Sequence, residues 1–248
     1  MWGLALEDTK DIDQQLDQLA RAHRILALNG HINMTLGHMS WRDPEGRGFW
    51  LKRSGLGFEE IGPTDFILLD FAGTQLDGSG KRHVEWPIHA EIFKARADVA
   101  VIVHSHPINS TIFSACDACL GGICHEGVML HDKVSYFRKT KGLIVTAEMG
   151  AELAQTMGDS AAILIKNHGI TTCGPTIAAA TLTAIFLEKA CSAQLVAQST
   201  GLPWSGPSDE ELALGGAARL ELNPNVVADF WSYFHRQLDR HERKCLEC

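Results

Sequence analysis

The sequence predicts an α/β protein with one core, and three observations carry that expectation. Segments with apolar residues at helical spacing alternate with short apolar runs bounded by Gly, Pro, Asn and Asp. A chain of 248 residues, 45% of them hydrophobic, is long enough to bury one sizeable core. Two of the short apolar runs, VIVHSHP and ILIKNHGI, lead into histidines, as strands do when they deliver side chains to a site at a sheet edge.

Taken in order, residues 11–29 read as a helix. Ile12, Leu16, Leu19, Ala20, His23, Ile25 and Leu26 recur at helical spacing, and Asn29-Gly30 supplies the stop. Residues 38–52 and 66–71 read as strands, the first folded at Asp43-Pro44-Glu45-Gly46, with a break at 61–65 and a strand and turn in FILLDFAGTQL. Pro87 suits a first helical turn, so Ile88, Ile92 and Ala95 predict a helix over 87–97 that Asp98 closes, followed by a strand over 99–104. A helix over 148–157, a strand over 161–167 and a long Ala-rich helix over 176–199 come next. LPWSGPSDEE reads as a linker. The tail NVVADFWSYFHRQLDRHERK reads as a helix with Phe230, Tyr233, Phe234 and Leu238 on one side. The expected organisation is one domain over residues 1–248 with a helical tail over about 220–248.

The chemistry concentrates in histidine. Alternate residues of a strand share a face, so His104 and His106 can bind one ion together, and His168 is placed to add a third ligand. Three imidazoles on one divalent ion leave positions open for substrate, a catalytic rather than a structural arrangement. A lone buried histidine is more often a core residue, and the upstream segment HVEWPIHAEIF tips the balance. It sets Glu85 at the start of the helix whose following strand carries the HSH, and a carboxylate beside a metal site is a natural acid/base. The alternative for Glu85 is a solvated carboxylate at a helix start.

The order Glu85, His89, HSH at 104–106 and NHG at 167–169 resembles the class II aldolase/adducin family. LGHMSWRDPEG, Arg53-Ser54-Gly55 and LEKACSAQLVAQ resemble it too, and the likeness spans about residues 13–235. The resemblance implies a three-layer α/β/α fold with a central, largely antiparallel sheet covered by helices. It implies His104, His106 and His168 as metal ligands and Glu85 as the catalytic acid/base. It also implies a homotetramer with active sites between subunits, in which Tyr233 and His235 of the tail would either reach a neighbour's site or belong to a core helix.

Departures from the pattern narrow the chemistry. Sugar-phosphate aldolases of that family cradle a phosphate with a G-N-x-S turn, an S-G pair and a Ser-Ser pair before the Glu. Here the first reads Gly37-His38-Met39-Ser40, the second survives as Ser54-Gly55, and the third is His83-Val84. A phosphate needs several N–H and O–H donors, and some are gone. The expected pocket of His38, Ser40, Arg42, Arg53, Ser54, Gly55, His83 and His89 suits a carboxylate or a phenolic oxygen instead. Arg42 and Arg53 could equally be solvated surface residues. The aldolases' proton-donating tyrosine lies nineteen residues after the second His of H-x-H, and here that count lands on His125. An imidazole titrates at about 6.5 where a phenol titrates at about 10, which changes the proton chemistry. The chain therefore resembles the branch that decarboxylates hydroxyaromatic or hydroxypyridine acids.

Three readings follow: a metal-dependent decarboxylase of a hydroxylated aromatic or heteroaromatic acid, an aldolase on an unphosphorylated hydroxy-ketoacid or sugar, and a non-enzymatic adducin-like binding module. The first two require one divalent ion per chain, for which Zn²⁺ suits three imidazoles best and Mn²⁺, Fe²⁺ or Co²⁺ are alternatives. The expected partner is a small-molecule carboxylate or hydroxy-carbonyl substrate. A formal charge of −8 argues against nucleic acid, and no apolar run has the length of a membrane span. Acids in MWGLALEDTKDIDQQ, where an export signal carries bases, make a cytoplasmic location the default. Seven cysteines without regular spacing make no disulfide framework. Cys116, Cys119 and Cys124 could form a zinc knot only with His125 or His131 as fourth ligand, and small loop residues are the commoner reading. Gly55-Leu56-Gly57 lacks the context of a nucleotide fingerprint.

Overall fold

The structure is a computed structural model and describes residues 11–130, 132–139, 142–208, 210–211 and 223–246. One eight-stranded sheet organises them. Its strands are β1 (His38–Arg42), β2 (Phe49–Lys52), β3 (Phe66–Leu69), β4 (Gln75–Asp77), β5 (Val101–Ser105), β6 (Val134–Phe137), β7 (Ala162–Ile165) and β8 (Gly169–Gly174). They lie in the order β4-β3-β2-β1-β5-β8-β7-β6, antiparallel throughout except for the parallel β6–β7 edge.

Strand alternation sorts the side chains into two cores. Met39, Trp41, Trp50, Phe66, Leu68, Val101, Val103, Leu164 and Ile170 face one side of the sheet. There they meet α1 (Ile12–Leu28), α6 (Ile177–Ser199) and α7 (Pro224–Leu246). Phe49, Leu51, Ile67, Leu69, Ile102, Ile163 and Cys173 face the other side, against α2 (Trp86–Ala95) and α5 (Ala147–Met157). The three-layer α/β/α architecture with a largely antiparallel sheet is thus as the sequence implies. Two short helices, α3 (Ile108–Ala115) and α4 (His125–Met129), and a 3-10 turn at Phe58–Glu60 fill the connections.

Local signals explain the element ends. Asp11 caps α1 by accepting from the Gln14 N–H, and Thr146 and Thr176 do the same for α5 and α6. The α6 helix has no polar face, and it is buried on nearly every side between the sheet, α1, α3, α4 and α7. Helices α2 and α5 pack tightly at Gly150: a Cβ there would sit 2.6 Å from the Pro87 carbonyl oxygen.

Three sequence expectations are corrected. Elements α3, α4, β6 and β8 stand where the periodicity predicts none. In β8, GITTCG is too polar and glycine-rich to read as a core strand, and it is nevertheless buried because β5 and β7 pair with it on both edges. Segment 202–208 is no free linker, since Trp204 packs on Gly121 and the Gly206 backbone abuts Gly121 and Gly122. In α7, Phe234 and Leu238 are buried and Phe230 packs edge-on against Phe186, but Tyr233 is 48% exposed. The helical period carries Tyr233 off that stripe. No zinc knot forms at Cys116, Cys119 and Cys124 among the described residues, where Arg138 holds the loop by donating to the Cys116 and Ala118 carbonyls. His131 lies outside the described residues. Among those residues no helix is long and apolar enough to cross a membrane.

Candidate active site

The site grows from the end of β5. His104 is the fourth residue of that strand and is fully buried, while His106 stands just beyond the strand on the same side. His168 arrives from the tight β7–β8 turn, where Asn167 takes a positive φ of 59°. It lies in the turn rather than at a strand end, as the sequence implied. Gly169 makes the approach sterically feasible: a Cβ there would fall 2.5 Å from the Ser105 carbonyl oxygen and 2.7 Å from the His106 ring. Glu85 enters from the start of α2 and is fixed by accepting from the Ile144 N–H at 2.8 Å.

These four side chains converge, each offering a ligand atom within 4.8 Å of the others. The His106 and His168 rings stack at 5.1 Å, with His104 edge-on to both. Glu85 Oε2 stands 3.6 Å from His104 Nε2 and Oε1 stands 3.5 Å from His168 Nε2, longer than hydrogen bonds. His104 Nε2 and both ring nitrogens of His168 are buried without a hydrogen-bond partner among the described residues. Buried ring nitrogens are normally satisfied, so this convergent, unsatisfied set fits a divalent cation. His104 Nδ1 lies 3.1 Å from Thr171 Oγ1, its cross-strand neighbour on β8. A proton held on Nδ1 and donated to that hydroxyl leaves the Nε2 lone pair free to ligate.

The electrostatics suit the same reading. Burial pushes His106 down to about 3, and His104 and His168 push it further the same way. Burial also lowers His104, against the opposing pull of Glu85. Neutral imidazoles are the ligating form. Burial by itself would raise the Glu85 carboxyl, but the adjacent His104 and His168 rings outweigh it and hold it well below the usual carboxylate range. Glu85 is therefore an anion at neutral pH.

Behind the cluster sits a layer of imidazoles on the α2 side of the sheet. His38 pairs in register with His104 and stacks 4.9 Å from it. His38 Nδ1 lies 2.6 Å from His89 Nε2, and His89 Nδ1 lies 2.5 Å from Ser40 Oγ. His83 packs 4.4 Å from His38 and lies 3.3 Å from Lys52 Nζ. Burial drives His38 and His89 well below the ordinary histidine range and His83 down to about 3. Lys52 is fully buried, donates to the Thr35, Gly37 and Leu56 carbonyls, and is pushed down to about 8 by that burial. Nothing in FWLK distinguishes this buried lysine from an exposed one, so sequence reasoning missed it.

The structure does not bring every expected residue to the cluster. Arg42 ends β1 far from His38 and spends its guanidinium on the Val99, Phe93 and Arg96 carbonyls. Arg53 pairs with Asp65 at 2.9 Å, and the Ser54 N–H donates to the Lys81 carbonyl. Gly55 is exposed with φ +96°. His125 is exposed at the start of α4 and does not line the cleft of this chain. His235 accepts from Arg21 Nε at 2.9 Å and so is engaged by its own α1. The cleft, about 400 Å³, is lined by Glu85, His106 and His168. Leu36, Ile108 and Leu143 form apolar wall, and Asn33, Thr111, Lys166 and Asn167 supply polar groups. Lys166 and Asn167 adjoin His168 in KNHG and were the signal available in the sequence.

A layered α/β fold with a Glu/His₃ cluster at the end of a sheet strand defines a class of protein able to hold a metal ion there. The chain belongs to the family described as Class II Aldolase and Adducin N-terminal domain, whose model matches residues 17–195. It is similar to 3,4-dihydroxyphthalate decarboxylase of Arthrobacter keyseri, 27% identical over 223 residues covering 81% of this chain and 87% of that protein. The structure resembles an aldolase II superfamily protein from Pseudomonas syringae, with TM-score 0.84, 27% identity and 94% and 95% of the two chains covered. It also resembles L-fuculose 1-phosphate aldolase from Glaciozyma antarctica PI12, with TM-score 0.78, 27% identity and 94% and 91% covered.

Proposed function

We propose that this chain is a divalent-metal-dependent carbon–carbon lyase that decarboxylates a hydroxylated aromatic or heteroaromatic acid. The observation that carries the reading is the Glu85, His104, His106 and His168 cluster opening onto a cleft with apolar walls. Those walls suit a flat ring, and the relative named for 3,4-dihydroxyphthalate supports a substrate of that kind. His38, His83 and His89 are turned onto one another and Lys52, which leaves no evident phosphate cradle there.

In this reading His104, His106 and His168 hold the ion, with Zn²⁺ the best match to three imidazoles. Once bound, it supplies Lewis-acid stabilisation of the electron pair left when the C–C bond breaks. Glu85, an anion beside the cluster, takes the proton of a substrate hydroxyl and returns it to that oxygen after CO₂ has left. Thr171 keeps the His104 ring in its ligating tautomer, and Leu36, Ile108 and Leu143 give the substrate ring an apolar lining. The assembly we propose is a homotetramer with the cleft at a subunit boundary, across which His125 of a neighbouring copy would act as proton donor.

Elemental analysis followed by CO₂ and aldehyde assays on the metal-loaded protein tests this. Stoichiometric metal with CO₂ release is the expected result. Aldehyde release would favour aldol cleavage, the reading supported by the likeness to L-fuculose 1-phosphate aldolase. A protein that takes up no metal after loading would leave the adducin-like binding module.

A further inference from the structure

The cleft is also lined by a cation that the metal cluster does not use. Lys166 precedes His168 by two residues, lines the same cleft, and keeps its side chain 30% exposed. Its ion-pair partner, Asp117, is distant at 3.9 Å and 89% exposed, so the pair is weak and readily displaced. Thr111 lines the cleft from α3, and its buried hydroxyl has no hydrogen-bond partner among the described residues. The two belong to one corner. Ser114, one helical turn after Thr111, donates to the Thr111 carbonyl and accepts from the Asn167 N–H, which docks this face of α3 onto the turn carrying Lys166.

We propose that Lys166 and Thr111 form an anion subsite that binds a carboxylate the substrate keeps through the reaction. This rests on the lyase reading above and narrows its substrate class to aromatic acids with an anionic group besides the one lost. The physical argument concerns which carboxylate Lys166 can usefully hold. When R–COO⁻ becomes CO₂, the bonding pair and its negative charge move onto the ring carbon, which then takes a proton. An ammonium paired with the departing carboxylate would stabilise the starting state more than the transition state and slow the step. Paired with a retained carboxylate, it is equally favourable in both states and serves binding and orientation. Glu85, His106 and His168 share one cleft with Lys166, Leu36, Ile108 and Leu143, a lining that matches an apolar ring bearing both metal-seeking oxygens and an anion.

Calorimetric titration of metal-loaded protein with catechol and with 3,4-dihydroxybenzoate, two probes that differ by one carboxylate, tests this without turnover. Wild type is expected to bind the acid more tightly than catechol. Lys166→Met should weaken the acid about tenfold and leave catechol unchanged, Lys166→Arg should restore most of the difference, and Thr111→Val should weaken the acid to a lesser degree. Equal affinity of wild type and Lys166→Met for the acid would overturn the proposal, as would failure of both probes to bind. Lysine-dependent acid binding in a protein that releases no CO₂ from any hydroxy acid would sink the decarboxylase reading alone. CO₂ release with lysine-independent acid binding would sink only the subsite.

Discussion

At the residue scale, the site is built by taking nitrogen ligands out of water and keeping them neutral. His104→Ala combined with His106→Ala removes two of three imidazoles, and elemental analysis should find the bound metal lost together with activity. Glu85→Gln differs: the amide oxygen can still accept from the Ile144 N–H, so fold and metal content should persist while turnover falls about 10²- to 10⁴-fold. Retention of full rate in that variant would remove Glu85 from the chemistry. Acid stability follows from other histidines. Burial pushes His23 and His83 down to about 3 and His31 down to about 4. Below about 6.5 the unfolded chain binds protons at these rings that the folded chain refuses, so stability is full above about 6.5 and drains as pH falls toward 4. Each ring contributes a slope of about 1.4 kcal/mol per pH unit within that window. Urea unfolding at pH 7.5, 6 and 5 measures it, and a flat profile would contradict the burial assigned to these rings. His104, His106 and Glu85 were legible in the sequence because motif spacing along one strand and one helix start specifies them. Lys52, Thr111 and Thr171 were not, because their roles depend on strands and helices distant in sequence.

At the element scale, helix α7 returns the chain to α1. Arg21 reaches Asp239 at 2.5 Å and Arg24 reaches Glu242 at 2.9 Å, while Phe234 and Leu238 enter the core. The partly exposed ion pairs are worth little beside the apolar contacts. Leu238→Ala should cost about 2–5 kcal/mol, and Arg21→Ala about 1 kcal/mol or less, in chemical denaturation. The reverse order would mean that charge rather than packing docks the helix. The same helix shows where periodicity serves and where it misleads. It identified Phe234 and Leu238 as inward, and it placed Tyr233 beside them although the helical period carries that residue onto the exposed side. Strand β8 shows the converse: its partners β5 and β7, rather than its own residues, make it a strand.

At the scale of the whole molecule, an ion bound only by the folded state must add to its stability by mass action. At a free metal concentration about 100 times Kd the gain is about 2.7 kcal/mol. Calorimetric melting should therefore show a higher midpoint with Zn²⁺ than after chelation, and no difference in the His104→Ala/His106→Ala protein. The exposed apolar residues Leu36, Ile108 and Leu143 line the cleft, and the exposed Ile32 and Met34 flank Asn33, which also lines it. Such a patch on a lone chain favours association there. Sedimentation velocity should give four copies, and a charged replacement such as Met34→Glu should release monomers with reduced activity. A monomeric wild type would remove His125 from the proposed chemistry.

The amino-acid sequence by itself determined most of the helices and strands and, through its resemblance to the family, the identity of the convergent groups. Hydrophobic periodicity marks the buried stripes of α1 and α2, and the H-x-H spacing puts His104 and His106 on one face of a strand. Only the tertiary structure decided how those groups meet. The β7–β8 turn brings His168 onto His106, Ile144 anchors Glu85, and Ser114 of α3 docks on the turn through the Asn167 N–H. It also decided that Arg42 serves the backbone carbonyls of α2 and its exit rather than the cleft. The physical reason is range. Spacing along the chain encodes contacts within a strand or a helical turn, whereas a pocket is enclosed by segments far apart in sequence, whose positions are set by packing the whole sheet.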